Sequence, residues 1–235
     1  MTYYKYINAN GATPLGYGHY NISELPTKWH SVEGDLVQCR NGLHVMRSGD
    51  VSRYYGELLF EAEVRGDMLE CDHEVVVREM RIVRQTLMDE CRWRLHACDC
   101  AARSLARVDT PDARSVNAVV VARRYAIGDA TDDELAAAHA AAWAAAYAGA
   151  AAYAAWEAGA YAAAYSAWEA AAEAPAAAER AWQAQRLLEY AHKEQLPEPV
   201  AVWLLDDAIE RNREMSALLS KRQLAVAALQ QEAGE

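Results

Sequence analysis

Residues 136–174 contain 25 alanines, and tryptophan, tyrosine, glycine and glutamate fill most of the positions between them. Alanine loses no side-chain entropy on entering a helix, so this stretch needs little tertiary help to be helical. The expected helix opens at a capping box formed by Thr131 and Glu134, with Asp132 and Asp133 favourable against the helix dipole. Pro175 is expected to end or kink it. From Asp132 to Ala174 such a helix measures about 65 Å. It is expected to sit in a bundle of helices.

The large residues of this segment are not scattered around the wheel. With His139 as origin, Trp143, Tyr147, Tyr153, Tyr161, Tyr165 and Trp168 share a stripe about 120° wide, and only Trp156 leaves it. Gly149 and Gly159 lie away from this ridge, on a thin surface of alanine and glycine where a second backbone can approach closely. The first reading is therefore a central helix packed on two sides. A second reading makes the ridge a groove for a ring-bearing ligand such as a nucleotide, because tyrosine and tryptophan combine an apolar body with a polar tip. Glu157 falls inside the stripe and needs a partner, either Arg180 or Arg186 or a ligand's donors. A third reading, a membrane span, rests on the absence of formal charge over residues 135–156. It is opposed by the weak insertion of alanine and by acidic rather than basic flanks.

The N-terminal part has a different period. In "ELLFEAEVR" Leu58, Phe60, Ala62 and Val64 alternate with Glu57, Glu61, Glu63 and Arg65, the pattern of a half-buried strand. Shorter strands are expected at "DLVQC", "GLHVM" and "VVVREMRIV", separated by turn signals such as "RNG" and "RGD". A short helix is expected at "SGDVSRYYGE", capped by Ser48 or Asp50. After residue 87 the pattern turns helical. One helix is expected in "LMDECRWRLHACDCAARSLARV" and another after "DTPDAR", with Pro111 in its first turn behind Asp109 or Thr110 and Gly128 at its C-terminal stop. A further helix runs through "ERAWQAQRLLEYAHKE". A last one carries Val202, Leu205, Ile209, Leu218, Leu219 and Leu224, a pattern equally suited to packing within the chain or to a dimer seam. The expected fold class is α+β: a small β-rich domain over residues 1–87, then an alanine-rich multi-helix bundle over residues 88–235.

Net charge is −11, and neither part is basic: residues 1–88 hold 12 acids and 9 bases, the remainder 22 and 14. This argues against a nucleic-acid polymer or an anionic lipid surface as partner. Five cysteines, an odd number, and an N-terminus without a basic region before an apolar run point to free thiols in a cytoplasm. Cys91, His96, Cys98 and Cys100 crowd one helix. His96 and Cys100 are four apart and could share a metal, but no second cysteine pair completes a zinc set, so buried thiols and no metal are expected. Glu90 and Arg94 read as a surface pair. No GxSxG, HExxH, P-loop or dinucleotide fingerprint is present, so the chain leans away from an enzyme.

Two resemblances add to this. The run "GDLVQCRNGLHVMRSGDVSRYYGELLFEAEVRGD", followed by "VVVREMRIVRQ", resembles a small domain of unknown function common in bacteriophage proteins, over residues 3–86. Its order is also similar to the rifampin-type ADP-ribosyltransferase fold, which implies a nicotinamide cleft and NAD as substrate. In that family the first strand carries a histidine for the cofactor ribose. "TYYKYINANG" has none, so His19 or His44 would take that role, Tyr54 or Tyr55 would hold the nicotinamide, and Glu61 or Glu63 would stabilise the oxocarbenium-like state. The segment from "RLHACDCAARSL" through "DATDDELAAAHAAAWAAAYA" resembles alanine-rich helical segments assigned as immunity proteins in bacteria and phages, over residues 92–190, which implies a helical interaction module. The preferred expectation is a non-enzymatic phage or prophage protein in the host cytoplasm that binds a host protein or a small signalling nucleotide and needs no cofactor. The alternatives are an NAD-dependent ADP-ribosyl transfer enzyme and a structural phage component.

Overall fold

The computed structural model describes residues 2–14, 16, 18–54, 56–107, 111–143 and 176–200. Five strands come first: β1 Tyr3–Ile7, β2 His30–Ser31, β3 Leu43–Val45, β4 Leu58–Glu70 and β5 Val75–Gln85. Four helices follow: α1 Glu90–Leu105, α2 Ala113–Ala126, α3 Asp132–Trp143 and α4 Ala176–His192. The α+β class expected from the sequence is the observed one.

All strand pairs are antiparallel, in the order β1-β4-β5-β2, with β3 ahead of β2 on the same edge of β5. The sheet then bends back on itself. Met46, just after β3, exchanges both backbone hydrogen bonds with Tyr4 of β1, at 2.9 and 2.8 Å. Tyr4 therefore lies between β4 and the end of β3, and the strands wrap around an apolar filling. Phe60, Ala62, Val75, Val77, Met80 and Ile82 supply most of it, with Tyr3 and Ile7 from β1 and Val45 from β3. Each large side chain so buried contributes on the order of 1.5–3 kcal/mol. The alternation read in β4 is realised: Leu58 and Val64 pack against this cluster, while Glu61, Glu63 and Arg65 face Arg84, Arg81 and Glu79 of β5.

The opposite face of the same strands meets the helices. Tyr4, Tyr6, Met46 and Leu59 belong to one apolar cluster with Trp93, Leu105, Val116, Val119, Leu187 and Tyr190, so a single core spans the change from strand to helix near residue 87. Among the described residues the most enclosed helix is α1, buried without interruption from Trp93 to Ala102. Asp89 caps it, accepting from the Arg92 N–H at 2.8 Å. The Arg92 guanidinium donates to the carbonyls of Tyr190, Lys193 and Glu194 at the end of α4, where helix carbonyls lack internal partners.

Several expectations need correction. "DLVQC" is a turn, with only Val37 making an isolated bridge to Asn41. The short helix at Ser48–Arg53 is a 3-10 turn with no side-chain cap; Asp50 pairs with Arg47 and Arg53 instead. The cap of α2 is Asp112. Arg94 does meet Glu90, at 3.5 Å, but it is buried rather than on the surface and stacks on Tyr125. The capping box before α3 is present as read: the Thr131 N–H donates to Glu134 at 2.8 Å, and the Glu134 N–H to the Thr131 hydroxyl at 3.2 Å. Gly128, at φ +84°, follows α2 where the sequence placed its stop.

Only the first turns of the alanine-rich helix, Asp132–Trp143, are among the described residues. They pack on α2 through Ala138 and Ala142, while Trp143 is 44% exposed. The rest of that segment and the final helix expected from residue 200 onward lie outside the described residues. No helix among the described residues is long and apolar enough to cross a membrane.

Candidate functional site

Two hairpin turns at one end of the sheet bring together a set of reactive side chains. The first runs from Val37 to Asn41, which are bridged to each other, and Asn41 is anchored by its side-chain amide on the carbonyls of Glu33 and Asp35 at 2.7 and 2.8 Å. Cys39 stands at its tip with φ +61°, a conformation where a Cβ costs about 1–2 kcal/mol. Gly42 then lets the chain drop onto β5. Its φ is +141°, and a Cβ there would fall 2.1 Å from Cγ1 of Val76. That close approach seats β3 and places His44 opposite Val76. The second turn joins β4 to β5, closed by the Cys71 N–H on the Glu74 carbonyl at 3.0 Å, and delivers Glu74.

Cys39 Sγ, a His44 ring nitrogen and a Glu74 oxygen all lie within 4.8 Å of one another, and His44 Nε2 is 3.8 Å from Glu74 Oε1. The Cys39 N–H donates to His44 Nε2 at 3.3 Å, which assigns the ring proton to Nδ1. Burial lowers the pKa of His44; Glu74 opposes this and Lys5 adds to it, so the ring is held neutral. Gln38 donates to Glu74 Oε1 at 3.1 Å. Cys71 is close by, its thiol pushed up by burial and by Glu74, Asp72 and Cys39.

Behind this corner lies a buried cation. Lys5 shares the inward face of β1 with Tyr3 and Ile7; its Nζ donates to the His44 carbonyl at 2.6 Å and sits 5.6 Å from the centre of the Tyr20 ring. Burial pulls its pKa down to about 8, against the charge of Glu74.

The residues singled out from sequence divide sharply. His44 belongs to this corner, and Tyr54, 38% exposed, feels the charge of Glu74 in a phenol pKa raised mainly by burial. His19 is exposed on a loop bridged to Ala12. Glu61 faces Arg84 and His192, and Glu63 faces Arg81, so the carboxylate beside His44 is Glu74 and neither of these. Tyr55, Tyr147, Tyr153, Glu157, Tyr161, Tyr165 and Trp168 lie outside the described residues; Trp143 is the described, exposed start of the aromatic ridge. Sequence reasoning missed Lys5, Cys39 and Glu74. Only Lys5 left a signal, a lysine at an inward position of a tyrosine-rich strand.

No family model, curated protein or solved structure matches this chain. The contrasting polar cluster is inside the helices. Asp99 of α1, fully buried, accepts from the Tyr190 hydroxyl at 2.8 Å, from Arg186 Nε at 2.7 Å, from Arg123 and from the Val200 N–H at 3.2 Å. Arg186, one of two partners expected for Glu157, is thus engaged by Asp99. Glu179 takes Arg103 and Arg107 in the same way. Cys98 and Cys100 are fully buried, with burial pushing the Cys98 thiol up to about 12 and Cys100 well above its ordinary value. These are inert thiols on a packed helix. The two carboxylates of this second cluster, Asp99 and Glu179, are fully enclosed and already paired.

Proposed function

We propose that the protein is a phage or prophage accessory protein that acts by binding, capturing a small signalling nucleotide or a host protein and so antagonising or conferring a host defence in the host cytoplasm. The observation that carries this reading is the orientation of α3. Ala138 and Ala142 are packed, while Trp143, the first large ring of the stripe read from the sequence, is 44% exposed. Exposed aromatics with a polar edge suit a stacked base or a protein anchor. The charge of −11 supports a small or protein ligand over a nucleic-acid polymer. Calorimetry of the full chain against cyclic dinucleotides and NAD, with pull-down from host lysate in parallel, tests it. Binding by the wild type that is lost in Trp143→Ala supports the reading. The absence of any ligand, or one that binds Trp143→Ala equally well, removes its basis.

A second reading, NAD-dependent ADP-ribosyl transfer, is favoured by one observation: His44 stands 3.8 Å from a carboxylate, Glu74, whose charge also reaches Tyr54. It requires consumption of labelled NAD that falls in His44→Ala and Tyr54→Phe. Unchanged turnover in both variants would exclude it.

A further inference from the structure

We propose that Cys39, His44 and Glu74 form a site for one zinc-class divalent metal ion, with a fourth position left for water or an exchangeable ligand. This goes beyond the binding role above and does not depend on it.

The donor set is the first argument. A thiolate, a neutral imidazole and a carboxylate together suit zinc or cobalt, whereas magnesium and calcium take oxygen ligands. Thiolate and carboxylate also supply two negative charges for a doubly charged ion. Three protein ligands and one open position is the arrangement of zinc sites that exchange a ligand, in contrast to closed structural sites with four.

Geometry is the second. Donor atoms around a tetrahedral zinc stand about 3.3–3.8 Å apart, as its bond lengths require. His44 Nε2 and Glu74 Oε1 already stand at 3.8 Å, and all three donors lie within 4.8 Å. Rotation of the exposed Cys39 side chain supplies the remaining movement of about 1 Å. The ring is already in the ligand tautomer, with its Nε2 lone pair turned toward Cys39; the long 3.3 Å contact from the Cys39 N–H is what a metal would replace.

The backbone is the third. Cys39 holds a left-handed conformation at a tip where glycine or asparagine would be relaxed, and strain kept at one position points to a use for that side chain. Gln38 steadies Glu74 through Oε1, and the Lys5 ammonium fixes the His44 carbonyl from inside the sheet. Such support of ligands by their neighbours is typical of built metal sites.

The test uses the tag-free full chain, stripped with a chelator and titrated with Co²⁺. One equivalent is expected to give the visible bands of a tetrahedral site and a thiolate-to-cobalt charge-transfer band. Cys39→Ser should abolish the charge-transfer band, and His44→Ala and Glu74→Gln should each weaken binding about tenfold or more. Cys71→Ser and Cys100→Ser should leave the spectrum unchanged, and circular dichroism checks that every variant is folded. Absence of the charge-transfer band in the wild type, its survival in Cys39→Ser, or its loss in Cys71→Ser would overturn the assignment.

Discussion

Asp99 and Glu74 are both carboxylates facing nitrogen donors, and their surroundings differ in every other respect. Asp99 lies at the centre of the helices with both oxygens engaged, by guanidiniums from α2 and α4, a tyrosine hydroxyl and a backbone N–H. Glu74 lies on the turn between β4 and β5, partly buried, takes one hydrogen bond from Gln38 and looks across 3.8 Å at a neutral imidazole. A buried carboxylate shared by three helices fixes how they pack, because any other arrangement leaves a charge without a partner. A partly buried carboxylate that holds one amide and faces an imidazole fixes far less of the fold. The first cluster is a tie that holds the scaffold, and the second is a site that the scaffold holds.

The sharpest way to break this contrast is Asp99→Asn. The amide keeps the shape but strands Arg123 and Arg186, and a loss of about 3–5 kcal/mol in urea denaturation is expected. Next in size is acid sensitivity from His96, which is buried, with its Nε2 bound to the Gln183 carbonyl at 3.1 Å and its pKa lowered to about 4, chiefly by burial. The unfolded chain takes up this proton below its ordinary pKa of 6.5, whereas the folded chain takes it up only near 4. Stability is therefore lost as the pH falls through that window, by about 3 kcal/mol, and His96→Gln should flatten this part of the profile.

Lys5 joins the two halves of the comparison, as a buried cation beside the site with no carboxylate bound to it. Its folded pKa of about 8 lies below the ordinary 10.5, so the penalty for burying its charge is complete below pH 8 and disappears above 10.5. Lys5→Met should raise stability at pH 7 by about 2 kcal/mol, after the lost hydrogen bond to the His44 carbonyl, and the gain should vanish at high pH. Smallest is Cys39→Gly, expected to stabilise the metal-free protein by up to about 1 kcal/mol by relieving the left-handed tip.

Much of the frame was legible because it rests on local rules. The alternation of Leu58 to Arg65, the reciprocal cap of Thr131 and Glu134 and the stop at Gly128 each depend on a few neighbouring residues, and each appears as read. The site was not legible in this way. Cys39 and Glu74 come from two separate turns and His44 from β3, and what unites them is the pairing of β3 with the first residues of β5. That pairing depends on Gly42 tolerating Val76 at a distance no side chain would allow, a fact with no local signature. Glu61 and Glu63 were attractive because they were acidic and in the right order. Cross-strand arginines that only the register reveals had already claimed them.

One experiment tests the division between tie and site most directly: urea denaturation of the metal-free wild type, Asp99→Asn and Glu74→Gln, measured side by side at neutral pH. Glu74→Gln is expected to stay within about 1 kcal/mol of the wild type, because it removes one hydrogen bond and leaves no bound guanidinium without a partner, while Asp99→Asn falls by several. Equal losses in the two variants would contradict the account, because Glu74 would then be as much a part of the scaffold as Asp99.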